Sequence, residues 1–402
     1  MPVLLLIAFL AGALMPLAFA PVSFWPLAIL SPMLLLHLLS KANSPRQVFW
    51  VSWVYALGYF GFGVYWIYNS LHVYGHAPPL LAGALTLLMI MTLSTFVAAA
   101  LYLYYRLIPN DSSGWLIWSL PLIWFAMEWF KGWVLTGFPW LSVGYAHVNS
   151  PLAGYAPILG VYGVGMLSVL LSLLLARSLL HKKVVCPLVL VGIPLLSYGL
   201  QQMDWTSESG APLLVTMVQG NIPQEMKWRR SERSRIVQIY WNATNPHWDS
   251  DLLVWPEVAI PGRSEDLEQS VLKPMSIKAA ERQSNLLTGV LVSDAVNNPY
   301  HNSMIMLGEE QGQYHKRHLV PFGEFYPFRE LLAFMRSYIR IPMSDMTPGP
   351  QQQSLMSVNG VKLGVSICYE DVFSRDINLD LPEANILINT CLLYTSPSPR
   401  DA

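Results

Sequence analysis

Val361-Lys-Leu-Gly-Val-Ser-Ile-Cys-Tyr-Glu370 decides how the second half of this chain folds. Val361, Leu363, Val365 and Ile367 recur at every second position, the period of a half-buried strand. The strand stops at Cys368-Tyr369-Glu370, so a thiol stands at the end of a core strand. There it is held rigidly and can still face a cleft, as a nucleophile requires. Two earlier stretches have the same form. Asp251-Leu-Leu-Val-Trp-Pro-Glu257 is an apolar strand that ends in a carboxylate, and Gln313-Tyr-His-Lys316 leads a lysine into His318-Leu-Val-Pro-Phe-Gly-Glu324. Glutamate, lysine and cysteine, in that order, supply a proton acceptor, a cation and a nucleophile.

Working outward from these stretches, strands are expected near 213–219, 251–256, 286–292, 302–307, 361–367 and 384–389. Helices are expected near 230–244, 265–283 and 328–337. Strands and helices in alternation imply α/β layers. Neither the Rossmann fingerprint nor a phosphate-binding Gly-rich loop is present, so nucleotide chemistry has no support. With a net charge of −1 and no long basic run, nucleic acid is not an expected partner.

The first half has a different composition. The chain is 53% hydrophobic and only 12% charged, against about 25% charged for a soluble domain. Of its 24 Lys and Arg, seven precede residue 204. Seven apolar segments, 3–20, 22–40, 48–69, 79–105, 114–135, 152–176 and 184–202, each approach the ~20 residues of a spanning helix. Pro16, Pro26, Pro121 and Pro194 are tolerable kinks in such helices. Ala18-Phe19-Ala20 has the form of a signal-peptide cleavage site. The stretch before it lacks a basic leading region, however, and a second span follows at once, so Met1–Ala20 reads as a retained helix.

Lys41, Arg46, Arg106, Arg177, Lys182 and Lys183 fall in loops on one side of these spans, and only Lys131 falls on the other. The positive-inside rule then puts the N-terminus in the cytoplasm and everything after Met203 outside it. Glu128 and Lys131 share a helix face and are expected to form an ion pair. Gly137-Phe-Pro-Trp140 lies on the side where the soluble half must meet lipid, which makes Trp140 a candidate substrate contact.

Three cysteines are too few for a disulfide framework. Cys186 reads as packing, and Cys391 could pair with Cys368 outside the cytoplasm. His315 and His318 flank Lys316 and raise a Cys–His dyad as a rival, although two histidines beside Lys-Arg read better as a solvated basic cluster. Metal-ligand spacing is missing, so no metal is expected.

Trp255-Pro256-Glu257, Lys316 with Leu319-Val-Pro-Phe-Gly-Glu324, and Ile367-Cys-Tyr-Glu370 resemble the three signatures of the nitrilase (carbon–nitrogen hydrolase) superfamily. Val218-Gln-Gly-Asn-Ile-Pro-Gln224 with Lys227-Trp228, behind a membrane half, narrows the resemblance to the apolipoprotein N-acyltransferase family. It implies a multi-span α-helical membrane domain (1–203), a linker (204–212) and a nitrilase-like αββα sandwich (213–389). That sandwich would lie on the periplasmic side of the bacterial inner membrane. The family continues past Asn389 into Ser-Asn-Asp and Trp-Phe-Gly. The Ser/Pro-rich stretch here therefore reads as an atypical tail (390–402) on a C-terminally truncated domain.

The resemblance also implies a reaction: an acyl chain passes from a phospholipid, through a thioester on Cys368, to the α-amino group of a diacylated apolipoprotein. Glu257, Lys316 and Cys368 would form the triad. Glu324 would orient Lys316, Tyr369 and Glu370 would shape the pocket, and Trp228 would position substrate. No cofactor is implied, and the chain reads as a monomer. A membrane-anchored amidase with water as acceptor is the alternative, followed by a non-catalytic lipid-binding or transport scaffold. Spans nearly free of charge argue against transport. Seven spans exceed what a tether needs, which favours an enzyme that handles lipid.

Overall fold

The structure, a computed structural model, describes residues 1–107, 119–181, 187–208, 210–293, 300–325 and 346–391. The expected helix at 328–337, the start of the fifth apolar segment, Lys182, Lys183, Cys186 and the tail beyond Cys391 lie outside these residues. The chain divides into two compact units, Met1–Ser207 and one that begins at Glu208.

The first unit is helical: α1 (Pro2–Leu14), α2 (Leu27–Leu39), α3 (Pro45–Gly63), α4 (Pro79–Leu107), α5 (Ser119–Lys131), α6 (Ala156–His181) and α7 (Pro187–Gln201). Every apolar segment read from the sequence becomes a helix, but their lengths differ. Among the described residues, α4 and the stretch Ala153–Leu179 are long and apolar enough to cross a membrane. A third span results if α3 and Ile67–Tyr74, bent by 56° to each other, count as one. The remaining apolar helices are shorter because turn chemistry interrupts them. Pro16 opens a 3-10 turn, Pro26 precedes α2, and Asn43-Ser44 caps α3 through the Ser44 side chain.

α1 and α3 meet through small residues. A Cβ on Gly12 would lie 1.8 Å from the Tyr55 carbonyl oxygen, and one on Gly58 would lie 2.2 Å from that of Phe9. Such close backbone approach replaces the hydrophobic effect that lipid cannot supply. Glu128 and Lys131 do not form the expected contact ion pair. Glu128 Oε1 accepts the Val143 N–H at 2.8 Å, and Lys131 Nζ donates to the Trp140 carbonyl at 2.9 Å. Each polar side chain thus satisfies backbone groups of the loop returning from α5, groups that would otherwise be buried unpaired.

The second unit holds two sheets. The larger runs β1 (Val215–Met217), β2 (Leu252–Val254), β3 (Asn285–Ser293), β4 (Tyr300–Gly308) and β5 (Gly312–His315). The first two pairings are parallel and the last two antiparallel. The smaller is β6 (Met356–Val358), β7 (Val361–Ile367) and β8 (Ile386–Thr390), antiparallel then parallel. Alternation assigns each strand's faces. Leu253, Leu286 and Val290 pack with Ile236 and Tyr240 of α8 (Arg233–Thr244) and with Met275 and Ala279 of α9 (Lys273–Glu281). Leu252, Val254, Leu287 and Met306 face the other way and meet Leu363, Val365 and Ile367 of β7. The unit is therefore a helix layer, a sheet and a second sheet. The ends of β2, β5 and β7 are left to carry Glu257, Lys316 and Cys368.

Candidate active site

Cys368 follows β7 directly and has φ +53, a left-handed conformation that non-glycine residues rarely adopt. Strain of this kind costs about 1–3 kcal/mol and persists only where the surroundings hold it. Glu370 provides that hold. Its buried carboxylate accepts hydrogen bonds from the Ile367 N–H (2.7 Å), the His318 N–H (3.0 Å), the Arg317 N–H and the Tyr314 hydroxyl. Hydrogen bonds to a charged group contribute about 1.5–3 kcal/mol each, so together they outweigh the strain. Burial raises the Glu370 pKa, against the lowering effect of those backbone donors and of the Lys316 charge. Glu370 thus ties the cysteine turn to the backbone that carries Lys316.

Glu257 stands past the end of β2 on a turn in which Val258 has φ +40. The turn fits because β3 offers a glycine opposite it: a Cβ on Gly289 would lie 2.2 Å from the Val258 nitrogen. Lys316, 1% exposed, has its Nζ 2.8 Å from Glu324 Oε1 and 3.5 Å from Glu257 Oε1. Burial alone would lower its pKa. The charges of Glu324 and Glu257, with the Glu324 hydrogen bond, reverse this and raise it well above the ordinary lysine value, so Lys316 is a fixed cation. A carboxylate oxygen of Glu257 and Cys368 Sγ lie within 4.8 Å of each other. The hydrogen bond with Cys391, burial and the Glu257 charge push the Cys368 thiol well above its usual value, and Lys316 only partly offsets them. The resting sulfur is therefore protonated, and attack needs a base.

The structure thus brings Glu257, Lys316, Glu324 and Cys368 into one cluster. Two members escaped the sequence. Asn302 of β4, 2% exposed, donates through Nδ2 to Glu257 Oε1 (2.7 Å) and Glu324 Oε1 (2.9 Å), bridging the two carboxylates that flank Lys316. Lys227, visible only as part of a motif, is 2% exposed, and its Nζ donates to the Glu257 carbonyl at 3.3 Å. No local pattern announces either residue, because their partners are remote in the chain.

The remaining sequence candidates fall around this cluster or elsewhere. Trp228 is 39% exposed, with Lys227 Nζ 5.8 Å from its ring centroid. Tyr369 packs edge-on to Phe373 at 4.9 Å between centroids. Trp140 belongs to the helical unit, where its ring lies 5.8 Å from that of Trp66. His315 and His318 are not the solvated cluster expected. His315 Nδ1 meets Ser303 Oγ at 2.7 Å, while His318 stacks on Phe373 at 3.6 Å and faces Asp376 at 3.3 Å. The carboxylate placed beside the thiol is that of Glu257. Cys391 and Cys368 are both free thiols, with sulfurs 2.9 Å apart. Glu257, Cys368 and Cys391 would span a metal ion, but the Lys316 ammonium 3.5 Å from Glu257 Oε1 opposes a second cation there.

The family model of the apolipoprotein N-acyltransferase N-terminal domain matches residues 11–174, and that of carbon-nitrogen hydrolase matches residues 200–401. The chain is 38% identical over 392 residues to an apolipoprotein N-acyltransferase of Methylococcus capsulatus, an alignment that covers 96% of this chain and 77% of that protein. The chain belongs to the apolipoprotein N-acyltransferase family. A family member from Vibrio cholerae is 33% identical over 395 residues, covering 95% of this chain and 77% of that one. By structure, the chain is similar to Saccharomyces cerevisiae Nit3, a nitrilase-superfamily protein. The TM-score is 0.31 and the identity 19%, over 46% of this chain and 67% of that one. Membership makes this an N-acyltransferase built on a carbon–nitrogen hydrolase domain and joined to a helical region with two to three apolar spans.

Proposed function

We propose that Cys368 carries an acyl chain as a thioester from a phospholipid to the α-amino group of the N-terminal diacylglyceryl-cysteine of an apolipoprotein. The observation that supports this above all others is the buried cluster. In it the Glu257 carboxylate lies within 4.8 Å of Cys368 Sγ and 3.5 Å from the Lys316 ammonium.

Glu257 takes the thiol proton as the sulfur attacks the ester carbonyl, and Lys316 stabilises the tetrahedral oxyanion. On collapse the C–O bond breaks and the leaving alkoxide takes the proton back from Glu257, releasing lysophospholipid. The lipoprotein amine then attacks the thioester and gives a proton to Glu257. The C–S bond breaks, and the thiolate recovers that proton as the amide departs. Glu324 and Asn302 hold Lys316 and Glu257 in place, Glu370 fixes the cysteine turn, Tyr369 borders the acyl group, and Trp228 and Trp140 contact substrate.

In this reading residues 1–203 cross the bacterial inner membrane seven times, with 204–212 as linker. The catalytic domain from 213 onward is periplasmic, and the loop charges support that orientation. The test is mass spectrometry of the full-length protein after incubation with phosphatidylethanolamine. A hydroxylamine-labile acyl mass on the peptide containing Cys368 is expected. An adduct that survives Cys368→Ala, or one that maps to Cys391, contradicts the assignment.

A further inference from the structure

We propose that a cationic cavity next to the active-site turn binds the phosphodiester of the phospholipid donor and so reads its headgroup; this rests on the acyl-transfer reading above. The cavity holds about 230 Å³ and is lined by Trp228, Arg229, Arg230, Arg233, Arg263 and Asp266 among its residues. Its two walls are the segments that leave the active site. Trp228 follows Lys227, whose ammonium meets the Glu257 carbonyl, and Arg263 lies six residues beyond Glu257.

Four guanidiniums face one carboxylate. Among the described residues none of the four forms an ion pair, and the nearby acid Glu232 pairs instead with Arg235 at 3.5 Å. Arg263 is braced over the Tyr300 ring at 4.5 Å. Guanidinium stays charged at any working pH, and its planar fork fits phosphate oxygens two at a time. Four clustered positive charges against a single carboxylate leave an excess that an anionic ligand can neutralise.

The size and the rim identify that ligand further. A drug-sized ligand occupies roughly 300–1,000 Å³, so this cavity suits a headgroup and excludes the acyl chains. Trp228, 39% exposed, provides an amphipathic ring of the kind that settles at headgroup level, which favours a lipid phosphodiester over a free anion.

The experiment compares two acyl donors in detergent, phosphatidylethanolamine and a p-nitrophenyl fatty-acid ester that has no phosphate, using the full-length protein and an Arg230→Gln/Arg233→Gln variant. The variant is expected to raise KM for the phospholipid about tenfold or more, with kcat within about twofold and the ester reaction unchanged. Arg235→Gln, which lies outside the cavity, should alter neither donor. An unchanged phospholipid KM overturns the proposal, as does an equal loss with both donors, which would mark the arginines as structural. Inorganic phosphate that competes with phospholipid in the wild type but not in the variant supports it. Phosphate binding without any KM difference reveals an adventitious anion site and overturns it. Failure of the underlying reading looks different: the wild type would then form no thioester from either donor.

Discussion

Lys227 shows what a single buried charge contributes at this site. Burial pulls its pKa down to about 8, while Glu257 and Cys391 pull it up by less. In the unfolded chain the value is about 10.4. Between those two pH values the unfolded state binds more protons, so this residue's contribution to stability rises with pH. Below pH 8 its full burial cost is present, on the order of 3 kcal/mol. Lys227→Met is therefore expected to be more stable than the wild type to urea at pH 7, with the difference closing toward pH 10.5. A difference that does not vary with pH contradicts the account. The same variant loses the donor to the Glu257 carbonyl and should acylate Cys368 more slowly. At this scale the sequence revealed residues that end strands and missed residues that support them. Glu257 and Cys368 each close a recognisable apolar run and Lys316 sits in a motif, whereas Asn302 lies inside β4 and acts on carboxylates 45 and 22 residues away.

Elements set the geometry through their crossings. β2 ends at a turn that only a glycine on β3 can accept, since a Cβ at Gly289 would lie 2.2 Å from the Val258 nitrogen. Gly289→Ala forces that turn, and Glu257 with it, out of place. Overpacking of this kind costs about 1–3 kcal/mol or more, and thioester formation should fall at least about tenfold. Thermal unfolding together with acylation of Cys368 checks it, and a variant with wild-type activity would show that the turn does not position the base. The alternation of β7 was readable from sequence, and its bounds match those read there. β5 and β6, of 4 and 3 residues, are too short for a period to show. Glu128 and Lys131 were misread because helical spacing sees only their own helix. Their partners, Val143 and Trp140, lie on the loop that returns beneath it.

At the scale of the whole molecule, composition separated an apolar half from a polar half. It could not say which apolar segments stay straight for a full membrane width, because prolines and short turns decide that locally. The proposed topology has a direct check. In a cysteine-free background, Lys41→Cys should be shielded from a membrane-impermeant thiol reagent in intact cells and Ser264→Cys should be labelled; the reverse pattern contradicts it. The central claim is that the Cys368 thioester is passed to an amine and not to water. A transferase must hold its thioester where hydrolysis is slow. The most direct measurement is therefore lysophospholipid release by the full-length protein supplied with phospholipid alone and then with a diacylated lipopeptide. The account predicts roughly one equivalent released before the reaction stalls, renewed turnover with N-acyl product when the lipopeptide has a free amine, and none when that amine is blocked. Continuous release of lysophospholipid without any amine acceptor would contradict it.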